Sequence, residues 1–197
     1  MSQTTHYTDY DVMKEKPNWD PHTQTIVESR LTGSTDYKYL TLEEAELLRS
    51  ICALLVDDSR GEIIRFVIGH IDETLSRAVG EGQRKAGVPE ERTLVRNGLK
   101  SIEAFTLGKH TRSFYDLEEA VQLQFVRDWS EGTLDIGEHW IVKPKDLFHK
   151  LLSLTVDAYF SHPQVWSEMG YGGPAYPRGY VRTAIGQTDP WEAVRMT

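Results

Sequence analysis

The chain of 197 residues has a single cysteine, Cys52. That excludes an intrachain disulfide, a cysteine-based zinc site and a c-type haem motif. Cys52 lies in an apolar helical stretch, where it reads as a small buried hydrophobe and not as a reactive thiol. No run of about 18 apolar residues occurs, so no helix is expected to span a membrane. Positive charge is short as well. With 22 Lys and Arg against 30 Asp and Glu, the formal net charge is −8. Phosphate binding needs clustered cations, so this balance disfavours a nucleic-acid binder and adsorption to an anionic membrane. The opening residues, "MSQTTHYTDYDVMKEKPNWDPHTQ", hold no basic n-region, twin arginine or apolar core of a secretory signal. A Gly-Lys-Ser/Thr phosphate loop and a G-x-S-x-G nucleophile elbow are absent. Gly80, Gly82 and Gly87 have the wrong spacing for a dinucleotide turn and follow a helical pattern.

What is present is helical periodicity. Hydrophobic residues make up 39% and charged residues 26%, the balance of an ordinary globular domain. Residues 1–38 show no period, hold Tyr7, Tyr10 and Trp19 at irregular spacing, and read as an extended arm with a turn from Asn18 to Pro21. Thr41 and Glu44 then form a capping box ahead of Leu47, Leu48, Ile51, Leu54 and Leu55. Asp57 and Asp58 end that run. A second stripe joins Ile64, Val67, Ile68, Ile71, Leu75, Ala78 and Val79. Its β-branched start at Ile63–Ile68 would also suit a strand, but its length favours a helix. Pro89, Glu90 and Glu91 open a third helix with Val95, Leu99, Ile102 and Phe105 on its buried face. A fourth carries Leu117, Val121, Phe125 and Trp129 and stops at Gly132. The fifth starts at Pro144, is the most apolar, and ends at Pro163. A stripe that wide needs neighbours on several sides, so this helix is expected at the centre. The expected fold is therefore all-α, a single bundle of about five helices over 39–160. Irregular arms flank it at 1–38 and 161–197.

Catalytic constellations are scarce. Asp146 and His149 have the i, i+3 spacing of a di-metal carboxylate bundle, but only once and with Asp in place of Glu. His70 and Asp72 do not share a helix face. His110, His139 and His162 are scattered among loops and helix ends. Glu43, Glu44, Glu46, Glu118 and Glu119 sit at helix starts, where they complement the helix dipole. No catalytic, cofactor-binding or metal-ligating set emerges.

The carboxyl-terminal stretch from Ser161 to Gly186 differs from the rest. Gly170, Gly172, Gly173 and Gly179 permit left-handed backbone or close approach, and Pro174 and Pro177 hold the chain extended. Rings and arginines on such a scaffold match the composition of interface hot spots. The expected partner-binding residues are Trp166, Tyr171, Gly173, Pro174, Tyr176, Pro177, Arg178 and Tyr180. The alternative is that the segment wraps its own bundle, and both can hold together.

The tail "MGYGGPAYPRGY", preceded by "LTVDAYFSHPQVW", resembles the carboxyl-terminal signature of the gluconate 2-dehydrogenase subunit 3 family. "LTLEEAELLRSICALLVDD" is similar to that family's opening helix and "NGLKSIEAFTLGKHTRSFYDL" to its middle part, so the likeness runs over about residues 38–182. The resemblance implies a small, non-catalytic subunit bound to a large flavoprotein of the glucose-methanol-choline class. That partner holds FAD and oxidises a sugar, sugar acid or polyol, and a cytochrome c subunit often takes the electrons. The small subunit supports folding, FAD loading or stability of the large one and often carries a twin-arginine export signal for both. No such signal stands here, so the expected compartment is the cytoplasm, or the periplasm if the chain is exported with a partner or a leader was removed. Two other readings stay open: a free-standing helical metal-dependent enzyme, and a general helical adaptor.

Overall fold

The computed structural model of the chain describes residues 5–33, 35–77, 84–135, 137 and 140–195. Ala78, Val79, Gly80, Gly82 and His139, named above, lie outside the described residues. Among the described residues there is no β-strand, and the chain is all-α as expected.

Among the described residues, seven α-helices run in order: α1 Pro21–Ser29, α2 Leu42–Val56, α3 Gly61–Arg77, α4 Glu91–His110, α5 Glu119–Glu131, α6 Pro144–Tyr159 and α7 Pro163–Met169. The 3-10 helices Val12–Asn18 and Phe114–Asp116 accompany them. The count of about five is thus low. The segment read as an extended arm holds both the first 3-10 helix and α1. Asp20 caps α1 by accepting from the backbone N–H groups of His22 and Thr23, and Pro21 occupies the first turn. Pro163 does not simply end α6 but opens α7. The fourth expected helix is broken: Leu117 lies in extended backbone after the 3-10 turn, and α5 begins only at Glu119. Phe114, fully buried, holds this break in place, and the side chain of Gln122 donates to its carbonyl.

Where the sequence carries strong local signals, the helices follow them. The capping box at Thr41 and Glu44 is formed in both directions. Asp57, Thr111 and Gly132 close α2, α4 and α5 in left-handed conformation. The run Ile63–Ile68 is the start of α3, not a strand.

The main core is built by α2 to α6, and α6 packs against α2, α3, α4 and α5, the central position its wide stripe predicts. Cys52 is fully buried on α2. Its Sγ lies 3.2 Å from Thr155 Oγ1 on α6, and burial pushes its thiol up to about 12, which keeps it protonated and unreactive. Entry to the bundle is fixed by Asp72 on α3. Its buried carboxylate accepts from the backbone N–H groups of Lys38, Tyr39 and Leu40 at 2.7, 2.9 and 2.8 Å. Those bonds satisfy otherwise orphaned donors and set the start of α2.

A glycine lets α4 and α6 approach closely. A Cβ built at Gly98 would lie 2.2 Å from Leu147 Cδ1, and Leu147 is fully buried with nowhere to swing. Gly98→Ala is expected to cost about 1–3 kcal/mol and lower the melting temperature by several degrees. Gly61→Ala, where a new Cβ meets nothing, is the control and is expected to hold or raise stability. Thermal unfolding of both variants followed by circular dichroism checks the pair, and equal melting temperatures would contradict the packing described.

Candidate partner interface

A second, smaller core joins the two ends of the chain. Val12, Trp19, Val27 and Trp166 are buried together, with Tyr10 and Met13 packed against them. Four of these six residues precede α1, Val27 lies on it, and Trp166 comes from α7. The amino-terminal segment therefore straps over the carboxyl-terminal one. Thr5 Oγ1 donates to Glu168 O at 2.6 Å, Val12 N donates to Ser167 Oγ at 3.0 Å, and Tyr10 Oη donates to Trp191 O at 2.8 Å. Burial, together with the Glu15 charge, pushes the Tyr10 hydroxyl up to about 12, so it remains a donor.

The tail's glycines make this strap possible. Gly170 and Gly173 both have positive φ, and a Cβ at either would lie 2.7 Å from the Tyr7 ring or 2.6 Å from the Trp19 ring. A side chain at those positions would meet both backbone strain and an aromatic wall. Asp189, buried, accepts from Val181 N and Arg182 N at 2.8 Å each and so shapes the final loop.

One arginine ties α7 to the bundle. Arg60, at the start of α3, is paired with Asp58 through Nη2 at 2.5 Å and with Glu168 of α7 through Nη1. Tyr159 Oη of α6 donates to Asp58 Oδ2 at 2.8 Å. Burial works against the charge on Asp58. Hydrogen bonds from the Arg60 side chain and backbone and from Tyr159, with the Arg60 charge, outweigh it and hold the carboxyl below its ordinary value. The two carboxylates raise Arg60 far above the pH range of proteins.

The eight expected partner-binding residues fall into two groups. Trp166, Gly173 and Arg178 face inward. Trp166 is 6% exposed, its Nε1 donates to Phe160 O at 2.6 Å, and Arg30 lies over its ring. Arg178 bonds Glu15 at 2.9 Å and the carbonyls of Gly172 and Pro174, with its guanidinium 4.4 Å from the Trp191 ring centroid. Pro174 is half-buried between the groups. Tyr171, Tyr176, Pro177 and Tyr180 face outward, and Tyr176 and Tyr180 are 70% and 65% exposed. Val181 and Ile185 extend this apolar surface, and Phe160 and Met169, also exposed, line a hollow of about 420 Å³ beside Glu168. A run of exposed rings and aliphatics on a segment bonded from behind has the composition common at interface hot spots.

The sequence did not single out Glu15, Asp58, Arg60, Glu168, Asp189 or Trp191. The signals were present in part, in the Asp57–Asp58 pair before a helix and in the tail glycines. All but Asp189 have a partner more than a hundred residues away, and no local pattern joins them. Asp146 and His149 sit on the first turns of α6, and His149 borders a hollow with Trp129 and Phe148. Among the described residues no group of three or more His, Cys, Asp or Glu side chains comes together as a metal site. No helix among them is long and apolar enough to cross a membrane.

The chain is an all-α protein whose carboxyl-terminal segment carries exposed rings. A family model, gluconate 2-dehydrogenase subunit 3, matches residues 42–173, and the chain belongs to that family. The matched span covers α2 to α7 and ends at Gly173, before Tyr176 and Tyr180. No curated protein and no solved structure gives a match.

His162 sits at the joint between α6 and α7 and gives this region a pH dependence. Its buried ring lies edge-on to Phe66, with centroids 5.3 Å apart, and its Nδ1 caps α7 by accepting from Gln164 N at 3.2 Å. Burial and the Arg60 charge lower its pKa from the ordinary value of about 6.5, while Glu62, Glu168 and Asp58 oppose them. The unfolded chain therefore takes a proton at higher pH than the folded one. Stability is complete above the ordinary histidine range and falls as pH drops through it, levelling only below the folded pKa. His162→Asn keeps a cap acceptor and does not titrate. Denaturant unfolding at several values between about pH 5 and 8 is expected to give a flatter profile for the variant than for the parent. Parallel profiles would show that His162 is not the group responsible.

Proposed function

We propose that the chain is a non-catalytic small subunit that binds and stabilises a large FAD-dependent oxidoreductase subunit acting on a sugar, sugar acid or polyol. The match over residues 42–173 to a family described as a dehydrogenase subunit carries this reading. The exposed rings at Tyr171, Tyr176 and Tyr180 support it, because they stand on a segment fixed from behind by Arg178, Trp191 and the amino-terminal strap. In this reading FAD and the reacting groups belong to the partner.

The physical role is one of linkage. A subunit that binds only the folded partner stabilises it by RT ln(1 + [L]/Kd), about 2.7 kcal/mol when the free subunit is at about 100 Kd. Rigid anchors help, because little conformational entropy is lost when rings already held in place become buried. Folding, FAD loading and maturation of the large subunit all gain from the same term, since each draws on the folded population.

The test is co-expression with a large flavoprotein of the glucose-methanol-choline class. Tyr176→Asp combined with Tyr180→Asp alters only exposed side chains, so the bundle should keep its melting temperature. Co-purification should weaken by roughly 30-fold or more, as expected for loss of about 2 kcal/mol at hot-spot positions. Bound flavin and sugar-oxidising activity of the large subunit should fall with it. Undiminished co-purification, or turnover of a sugar by the isolated small chain, would overturn the proposal.

A further inference from the structure

The joint between α6 and α7 holds a titratable ring in a position that suits only its neutral form. His162 follows the last turn of α6 and is 2% exposed. Its backbone N–H donates to Tyr159 O and its carbonyl accepts from Trp166 N, both at 3.1 Å, so it is bonded to both helices. Its Nδ1 accepts from Gln164 N, and a ring nitrogen that accepts carries no proton. The neutral ring therefore bears its hydrogen on Nε2, which is enclosed and has no hydrogen-bond partner. A second proton can go only to Nδ1. There it points at the Gln164 N–H, donor against donor, and the cap of α7 is lost.

The charges around the ring do not accommodate a cation. Arg60 and Glu62 face it from α3, Asp58 from the turn before α3, and Glu168 from α7. Arg60 engages both Asp58 and Glu168, and Tyr159 of α6 also donates to Asp58. Glu62 is exposed on the first turn of α3. From the end of α1, Arg30 donates to Ser161 O at 3.0 Å and brings a second positive charge beside the joint. The Phe66 ring that His162 meets also packs on the exposed His70, with centroids 5.9 Å apart. Burial and Arg60 prevail over the three acids, so an imidazolium is expelled and not paired.

The part that gives way is α7. It spans seven residues, fewer than the roughly 12 that an isolated helix needs. Of its residues only Val165 belongs to the main core, while Trp166 belongs to the small one formed with the strap. The helices α2 to α6 are longer and pack mainly on one another. We propose that His162 is a proton-operated latch. Neutral, it seats α7 on the bundle. Protonated, it unseats α7, with the strap and tail packed on it, while α2 to α6 stay folded. The rings of the tail follow α7 in the chain, so the latch governs how firmly that face is held. The device belongs to this chain alone and stands whatever partner the face meets.

The seated ring binds its proton at lower pH than a free one, so seating is complete above the ordinary histidine range and weakens as pH falls through it. The test is amide exchange of the full chain at about pH 7.5 and about pH 5.5, each rate being divided by the intrinsic rate at that pH. The amides of Gln164, Trp166, Gly170 and Tyr171 are expected to be less protected than those of Ile68 and Leu151, inside α3 and α6, at both values. On acidification their protection should fall several-fold and at most about tenfold, the limit set by one proton and a free histidine over this interval. His162→Asn keeps the cap acceptor and should remove that fall, whereas His70→Gln should leave it in place. If the Asn variant does not seat α7 at neutral pH, the Hε1 resonance of His162 in the parent carries the test. Its midpoint should lie below the ordinary value of about 6.5 and coincide with the shift changes of the α7 amides. A midpoint at or above that value, or a fall retained in a folded His162→Asn, would overturn the proposal. Protection of α7 equal to that of the bundle at both pH values would do the same, since α7 would then open only when the whole chain unfolds.

Discussion

Arg60 is the ionic joint between the bundle and the carboxyl-terminal part of the chain, set beside Val165 of α7, which is buried in the main core. It reaches from the start of α3 to Glu168 on α7 and is held on its other side by Asp58, which Tyr159 also contacts. Four elements meet at that cation. An exposed ion pair contributes little, but this one is bidentate, partly enclosed and part of a network, the condition under which such pairs matter. Everything carboxyl-terminal to α6 takes its orientation from this joint together with Val165, buried in the main core, and His162, packed on Phe66.

Behind the joint, the two ends of the chain lock each other. The strap packs Val12, Trp19 and Val27 on Trp166, and the tail folds back so that Arg178 meets Glu15 and stacks on Trp191. Inward-facing Trp166 and Arg178 therefore serve the surface indirectly. They hold the backbone from which Tyr171, Tyr176 and Tyr180 project. Wrapping its own bundle and exposing rings on the outside are not alternatives for this segment, since the first sets the geometry of the second.

Local physics was the legible part of the sequence. The capping box of α2, the stripes of α2 to α4 and the broad face of α6 all carry a 3.6-residue period over several turns, and each became a helix in the core. The short helices were missed for the converse reason. α1 buries only Val27 and α7 spans seven residues, so neither shows enough turns for a period to stand out. Their caps, Asp20–Pro21 and His162–Pro163, were the available signals, and the prolines were read instead as a turn and a stop. At the candidate interface the composition of the tail was legible but its division into anchors and rivets was not. That division depends on Glu15, Trp191 and the Tyr7 and Trp19 rings, which touch the tail only through tertiary folding.

The bond from Tyr10 to the carbonyl of Trp191 spans 181 positions of the chain. Val12 and Trp19 pack on Trp166 within the same strap, so the amino-terminal residues touch both α7 and the segment that follows it. A contact of that separation makes the order of the tail conditional on the order of the strap, so loosening one end of the chain is felt at the other.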